Sequence, residues 1–83
     1  MSILEQLEKV LITEIAVNLE RNSLAPDEDL LEKGIIDSLG VMKLLLFMEE
    51  TFGIAVSDEE IIPENFQTLN NMVKFVEQKI KNK

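Results

Sequence analysis

The stretch GIIDSLGVMKLLLFMEETFG, residues 34–53, carries the strongest helix signal in the sequence. From Leu39 to Phe52 the apolar residues recur at helical spacing, and Gly53 suits the left-handed conformation that ends many helices. Ser38 directly precedes this segment, and a serine oxygen can accept a hydrogen bond from an early helix amide. The stretch therefore predicts a helix from about Leu39 to Phe52 with Ser38 as its N-cap.

Apolar side chains lie on two sides of this predicted helix when it is drawn as a wheel at about 100° per residue. The side expected to face the core consists of Val41, Leu44, Leu45, Met48 and Phe52. The opposite side carries an apolar strip, Leu39, Met42 and Leu46, bordered by Lys43, Glu49 and Glu50. Two interpretations stay open: another segment of the chain covers the apolar strip, or a partner protein docks on it.

The residues before this stretch predict one more helix and a long connection. Ser2 and Glu5 have the spacing of a capping box, and the apolar period that follows fades near Arg21. Residues 22–37 then form the connection, in which Leu30 and Leu31 are expected to contact the core. Gly34 is the natural left-handed position within the connection.

The residues after this stretch predict two further helices. A second capping-box spacing, Ser57 to Glu60, predicts a short third helix that Pro63 stops. A fourth helix is expected after Thr68, because apolar residues again recur at helical spacing there. No strand period is present, so the expected fold class is all-α: a small four-helix bundle with a long loop between helices one and two, forming a single domain over residues 1–83.

The composition excludes several classes of chemistry. The chain has 83 residues with neither cysteine nor histidine, which argues against disulfides, zinc sites, thiolate nucleophiles and Ser–His catalysis. An EF-hand is also excluded, because Glu32 and Ser38 stand where its loop needs glycine and glutamate. We therefore expect no metal site, and a protein that is not an enzyme. The longest apolar run, residues 44–48, is too short to cross a membrane, so a cytoplasmic protein is expected. A monomer is also expected.

Negative charge is concentrated in the middle of the chain. The net charge is −8, and residues 27–64 hold eleven acidic residues and two lysines. Such a field repels nucleic acid and anionic lipid and favours basic protein partners, although the acids could equally serve only solubility.

The segment Gly34-Ile35-Ile36-Asp37-Ser38-Leu39 resembles the G-x-x-D-S-L signature of carrier proteins that bear 4′-phosphopantetheine on the serine. The resemblance extends in register to residues 27–31, 52–54, 63–66 and 68–69. It implies that a phosphopantetheinyl transferase moves the arm from coenzyme A onto Ser38, with Asp37 favouring that complex and Leu39 at its interface. A loading enzyme and downstream synthases would then handle cargo held as a thioester.

Two positions depart from the carriers of fatty-acid synthesis. Gly40 and Lys43 stand where the resembling helix of those carriers has acidic residues. The chain is therefore more similar to free-standing aminoacyl, D-alanyl or peptidyl carriers, which an adenylating enzyme loads, in a specialised biosynthetic pathway. Two alternatives remain: a carrier of primary fatty-acid synthesis, and a cofactor-free helical adaptor that docks through the apolar strip.

Overall fold

Four α-helices and two single turns form the regular structure of the computed structural model, which describes residues 2–16 and 19–82. The helices are α1 (Ile3–Val10), α2 (Ser38–Phe52), α3 (Pro63–Phe66) and α4 (Leu69–Lys81). A π-helical turn (Leu11–Ile15) continues α1, and a 3₁₀ turn (Asp58–Glu60) precedes α3. The described part of the chain contains no strand. The predicted all-α fold, with a long connection after the first helix and a short third helix, is confirmed.

The first helix begins as predicted and ends earlier than predicted. The Ser2 amide donates to Glu5 Oε1 at 3.0 Å and the Glu5 amide donates to Ser2 Oγ at 3.1 Å, so the capping box is present. The π-helical turn closes with a 2.6 Å bond from the Ala16 amide to the Leu11 carbonyl. Residues 17 and 18, which the prediction placed in this helix, lie outside the described residues. Glu20 has a φ of 44°, a left-handed conformation that no α-helix continues, so the predicted extension to Arg21 is wrong.

The connection between α1 and α2 is fastened to the rest of the fold. Leu30 is fully buried, and its amide donates to the Gln67 carbonyl at 2.8 Å. The Asn70 amide, in the first turn of α4, donates to the Pro26 carbonyl at 3.0 Å. Gly34 has a φ of 71°, as predicted for a left-handed turn position. The long loop is therefore a packed layer held by backbone hydrogen bonds across the bundle.

The third helix lies further along the chain than predicted. The Glu60 carboxylate accepts from the Ser57 amide at 3.0 Å, but this turn ends at Glu60 as 3₁₀ structure. Pro63 begins α3 and does not stop a helix, because a proline at the first helical position sacrifices no intrahelical hydrogen bond. The fourth helix starts as predicted, with Thr68 Oγ1 accepting from the Asn71 amide at 3.0 Å.

The core lies between the four helices and includes Leu24, Leu30 and Ile36 from the long connection and Ile54 from the segment after α2. The largest fully buried side chains are Leu7, Leu11, Leu30, Leu44, Met48, Phe66, Leu69, Met72 and Val76. Helix α2 ends at Gly53, whose φ of 65° confirms the predicted left-handed cap. The core side predicted for α2 is also confirmed, with Leu44, Leu45 and Met48 buried. Within the described residues, none of the helices has both the length and the apolar character that spanning a membrane requires.

Candidate functional site

The start of α2 places Ser38 at the surface. The Asp37 carboxylate accepts from the Gly40 amide at 2.9 Å, so Asp37 is the N-cap and Ser38 is the first helical residue. The prediction that Ser38 caps the helix is wrong, because the neighbouring carboxylate occupies that position. Within the described residues the exposed Ser38 side chain makes no hydrogen bond. Its hydroxyl thus has no structural role within the described residues, and it lies at the N-terminal, positive end of the α2 dipole.

Gly40 brings the first turn of α2 against the end of the first helix. It is buried, and a Cβ atom at this position would lie 3.2 Å from Ile15 Cγ2 and 3.3 Å from Ile36 Cβ. These distances are shorter than ordinary van der Waals contacts, so any side chain here would displace its neighbours. Gly40 is therefore a packing residue at the contact between α2 and the end of the first helix.

An apolar groove opens beside Ser38, between α2 and the residues that precede and form α3. Its volume is about 300 Å³. It is lined by Leu31, Ser38, Val41, Met42, Ile61, Ile62, Pro63 and Phe66. We call this cavity the Ser38 groove. Ser38 is its single hydroxyl-bearing wall residue, so a group attached to Ser38 would lie beside an apolar surface.

The apolar strip of α2 is exposed. The accessible fractions of Leu39, Met42 and Leu46 are 63%, 45% and 52%, and among the described residues neither the long connection nor α3 covers them. The interpretation that another segment covers the strip is therefore wrong. Lys43 and Glu50 are exposed beside it, as predicted.

Glu49, predicted to border the apolar strip, is only partly available to a partner. Its carboxylate accepts from the Val56 amide at 3.0 Å, which ties the end of α2 to the segment that follows. Glu49 is half-buried, whereas Glu50 is exposed. The structure therefore exposes Leu39, Met42, Leu46 and Lys43 on one surface, whereas Glu49 is half-buried at its edge.

The buried carboxylate of Glu28 joins residues of the long connection through hydrogen bonds. The sequence patterns did not predict this arrangement. Glu28 Oε1 and Oε2 each accept from the Arg21 guanidinium at 2.7 Å, and Lys33 Nζ donates to Oε2 at 3.0 Å. These hydrogen bonds, with Arg21 contributing most, lower the pKa of Glu28 to about 2. The three residues sit at irregular spacing within a loop, so no period in the sequence marks them as partners.

A second carboxylate of the acidic segment 27–29, that of Asp29, also accepts hydrogen bonds that stabilise the long connection. Asp29 Oδ1 accepts from the Glu32 amide at 2.9 Å, and Oδ2 accepts from Gln67 Nε2. The Glu32 amide bond is the main cause that lowers the pKa of Asp29. Across residues 2–16 and 19–82 no cluster of acidic side chains is arranged to hold a metal ion.

The sequence matches a known protein family over most of its length. Residues 5–76 match the protein family described as the phosphopantetheine attachment site. Similar relatives include the D-alanyl carrier proteins of Streptococcus pyogenes serotype M5 (strain Manfredo), serotype M49 (strain NZ131) and serotype M1. Each is 38% identical over 52 residues, which cover 63% of this chain and 66% of the relative. The aligned segment thus spans slightly less than two thirds of each relative's length.

Proposed function

The chain belongs to the phosphopantetheine attachment site family of non-catalytic carriers, and from that premise we propose that Ser38 is the residue that bears 4′-phosphopantetheine. One observation carries the assignment: Ser38 is exposed and makes no side-chain hydrogen bond within the described residues, while Asp37 caps the helix in its place. Its hydroxyl oxygen is therefore available to form the phosphodiester.

The surroundings of Ser38 fit the group. Ser38 is the first residue of α2, so a phosphate on its oxygen would lie at the positive end of the helix dipole, which favours its negative charge. The Ser38 groove offers an apolar surface beside the attachment point. When bound, the group supplies the thiol that holds acyl cargo as a thioester, which this cysteine-free chain itself lacks.

Attachment is a substitution at phosphorus in which the Ser38 oxygen is the nucleophile. In the proposed step a phosphopantetheinyl transferase binds the start of α2, with Asp37 and Leu39 at the contact. The Ser38 Oγ–P bond forms, the bond from that phosphorus to adenosine 3′,5′-bisphosphate breaks, and the hydroxyl proton passes to a base on the transferase. This chain contributes the hydroxyl and its position.

Intact mass spectrometry tests the assignment. Wild-type protein incubated with coenzyme A and a broad-specificity transferase should gain the mass of one phosphopantetheine group. Ser38→Ala should gain none, whereas Ser23→Ala, which changes another exposed serine, should be modified like the wild type. Modification of Ser38→Ala, or none of the wild type, would contradict the assignment.

The proposed cargo is an amino acid or small carboxylic acid that an adenylating enzyme loads. Two observations support this class: the similar carriers of Streptococcus pyogenes are named for D-alanine, and the exposed Lys43 places a positive charge beside the apolar strip. We further propose that the protein acts in a specialised biosynthetic pathway. We also propose that it is a cytoplasmic monomer with a single domain, residues 1–83. Nucleic acid is not an expected partner of a chain with a net charge of −8.

Partner enzymes are proposed to dock on the apolar strip. An apolar patch at its centre with charges at the rim matches the usual anatomy of protein interfaces. The strip itself contributes Leu39, Met42 and Leu46, and Lys43, Glu49 and Glu50 contribute the rim. The exposed strip also suits a cofactor-free adaptor, and the mass experiment distinguishes the two functions because an adaptor gains no arm.

A further inference from the structure

The two walls of the Ser38 groove are fastened to the helices by different kinds of contact. On one side, Leu31 belongs to the long connection, which backbone hydrogen bonds tie to Gln67 and Asn70. The buried Glu28, with its partners Arg21 and Lys33, fastens the same loop. This wall is therefore fixed by several independent contacts.

The opposite wall is an irregular segment, residues 53–62, which supplies Ile61 and Ile62 to the groove. We call it the wall segment. It begins at Gly53, in the left-handed conformation, and ends where α3 starts at Pro63. Each end lies at the terminus of a helix, where a few residues can absorb the backbone rotation of a hinge.

Glu60 is the residue at which the wall segment is fastened to α4. Lys79 Nζ donates to Glu60 Oε1 at 2.8 Å and to Oε2 at 3.1 Å, across 19 positions of sequence. The same carboxylate accepts from the Ser57 amide, so one ion pair holds both the 3₁₀ turn and its link to α4. The neighbouring bond, from Asn65 Nδ2 to the Glu60 carbonyl at 2.8 Å, joins the wall segment to α3.

We propose that Lys79 is a positioning residue for the Ser38 site: through Glu60 it holds Ile61 and Ile62 against the groove and limits how often the wall segment opens. The side chains of Lys79 and Glu60 are 27% and 30% exposed, so the ion pair is partly accessible to water and salt. Such a pair contributes modestly to stability, which suits a fastening that opens and closes in the folded state. The effect on an acyl group bound at Ser38 rests on the proposed function, whereas the opening of the wall segment does not.

Hydrogen exchange on the unmodified protein tests the opening. The informative amides are those of Val56, Glu60 and Ile61, which donate within or from the wall segment. Lys79→Met should speed their exchange about two- to fivefold, the factor expected from losing a partly exposed ion pair, and should leave the Leu30 amide unchanged. Lys79→Arg should restore slow exchange, because it keeps the charge.

Lys81→Met is the matched control, since Lys81 lies on the same helix and makes no ion pair among the described residues. High salt should speed wall-segment exchange in the wild type and have little effect on Lys79→Met. Equal exchange in Lys79→Met and Lys81→Met, or acceleration of all amides alike, would overturn the proposal. If Lys79→Met does not fold, Glu60→Gln gives the same comparison while keeping an acceptor for Ser57.

A second measurement uses a short and a long acyl arm as probes of whether the wall segment shields a bound thioester. Acetyl and decanoyl arms can be placed on Ser38 from the corresponding acyl coenzyme A with a broad-specificity transferase. In Lys79→Met the decanoyl thioester should hydrolyse about two- to fivefold faster than in the wild type, and the acetyl thioester at an unchanged rate. Equal effects on both arms would contradict shielding by the wall segment. Failure of Ser38 to accept either arm would contradict the proposed function and leave the exchange result standing by itself.

Discussion

At the scale of single residues, the adjacent residues Asp37 and Ser38 have separate roles at the site. Asp37 supplies the acceptor for the Gly40 amide, and Ser38 supplies a hydroxyl without a structural task. A serine that capped the helix would have only its ester oxygen, a weaker acceptor, for that hydrogen bond after modification. Because the adjacent carboxylate caps, modification of Ser38 leaves the helix start intact.

The separate roles of Asp37 and Ser38 predict different losses of stability in two alanine variants. Asp37→Ala should lower the free energy of unfolding by about 1 kcal/mol, since it removes the N-cap. Ser38→Ala should change it by less than about 0.5 kcal/mol, since it removes an exposed hydroxyl. Urea unfolding curves of both variants measure the difference. A larger loss in Ser38→Ala than in Asp37→Ala would show that the hydroxyl caps the helix.

At the scale of elements, the site is set by how α2 packs against the end of the first helix. The π-helical turn places Ile15 against Gly40. A side chain at position 40 would lie too close to Ile15. The position of Ser38 therefore depends on a contact between two elements that a long loop separates. Lys43, three residues after Gly40, faces solvent.

The packing predicts that the two departures from fatty-acid carriers behave differently. Gly40→Asp should reduce the free energy of unfolding by about 1–3 kcal/mol, because it forces a side chain between Ile15 and Ile36. Lys43→Glu should leave stability within about 0.5 kcal/mol of the wild type. Thermal unfolding of the two variants tests this contrast. Equal stability would mean that Ile15 moves aside freely.

Lys43→Glu also tests the proposed cargo class without disturbing the core. On the holo protein it should improve malonyl loading by a fatty-acid transferase about fivefold, as expected from removing about 1 kcal/mol of charge repulsion. Loading by an adenylating enzyme for a small carboxylic acid should be better on the wild type. Malonyl loading of the wild type at the rate of a fatty-acid carrier would contradict the proposed class.

At the scale of the whole molecule, an acidic chain is held together partly by its few basic residues. The chain has eight lysine and arginine residues against sixteen aspartate and glutamate residues. Arg21 and Lys33 converge on the buried Glu28, and Lys79 pairs with Glu60. Lysine and arginine thus fasten the two irregular segments that frame the Ser38 groove.

This arrangement predicts loss of stability in acid. The pKa of Glu28 falls from its ordinary 4.5 to about 2 in the folded state. Its contribution is therefore complete above pH 4.5 and is lost as the pH falls through about 2. Glu28→Gln should be less stable than the wild type at neutral pH, and its stability should depend less on pH between those values. Chemical unfolding from pH 7 to pH 2 measures both effects.

Asp27→Asn is the control for the acid experiment, since Asp27 is exposed and adjacent to Glu28. It should follow the wild-type curve. The lowered pKa values of Asp29 and Glu60 act in the same direction, so Glu28→Gln should retain part of the acid sensitivity. A Glu28→Gln curve parallel to that of the wild type would contradict the role assigned to this carboxylate.

Local signals were sufficient for most of the helical framework. The end of α2 at Gly53, the turn at Gly34 and the start of α4 at Thr68 were predicted because backbone conformation or a side-chain cap decides each one within a few residues. The apolar period of α2 likewise predicted both its core side and its apolar strip. The identity of Ser38 as the candidate attachment residue followed from a short motif.

Only the tertiary structure decided the features that join residues distant in sequence. Glu60 and Lys79 meet across the bundle, and Gly40 is buried because Ile15 packs on it. The choice of Asp37 over Ser38 as the cap was also undetermined by sequence, because both residue types are good N-caps and the helix start depends on how the loop enters it. Helix periodicity and caps act over a few residues, whereas packing and ion pairing depend on which segments the fold brings together.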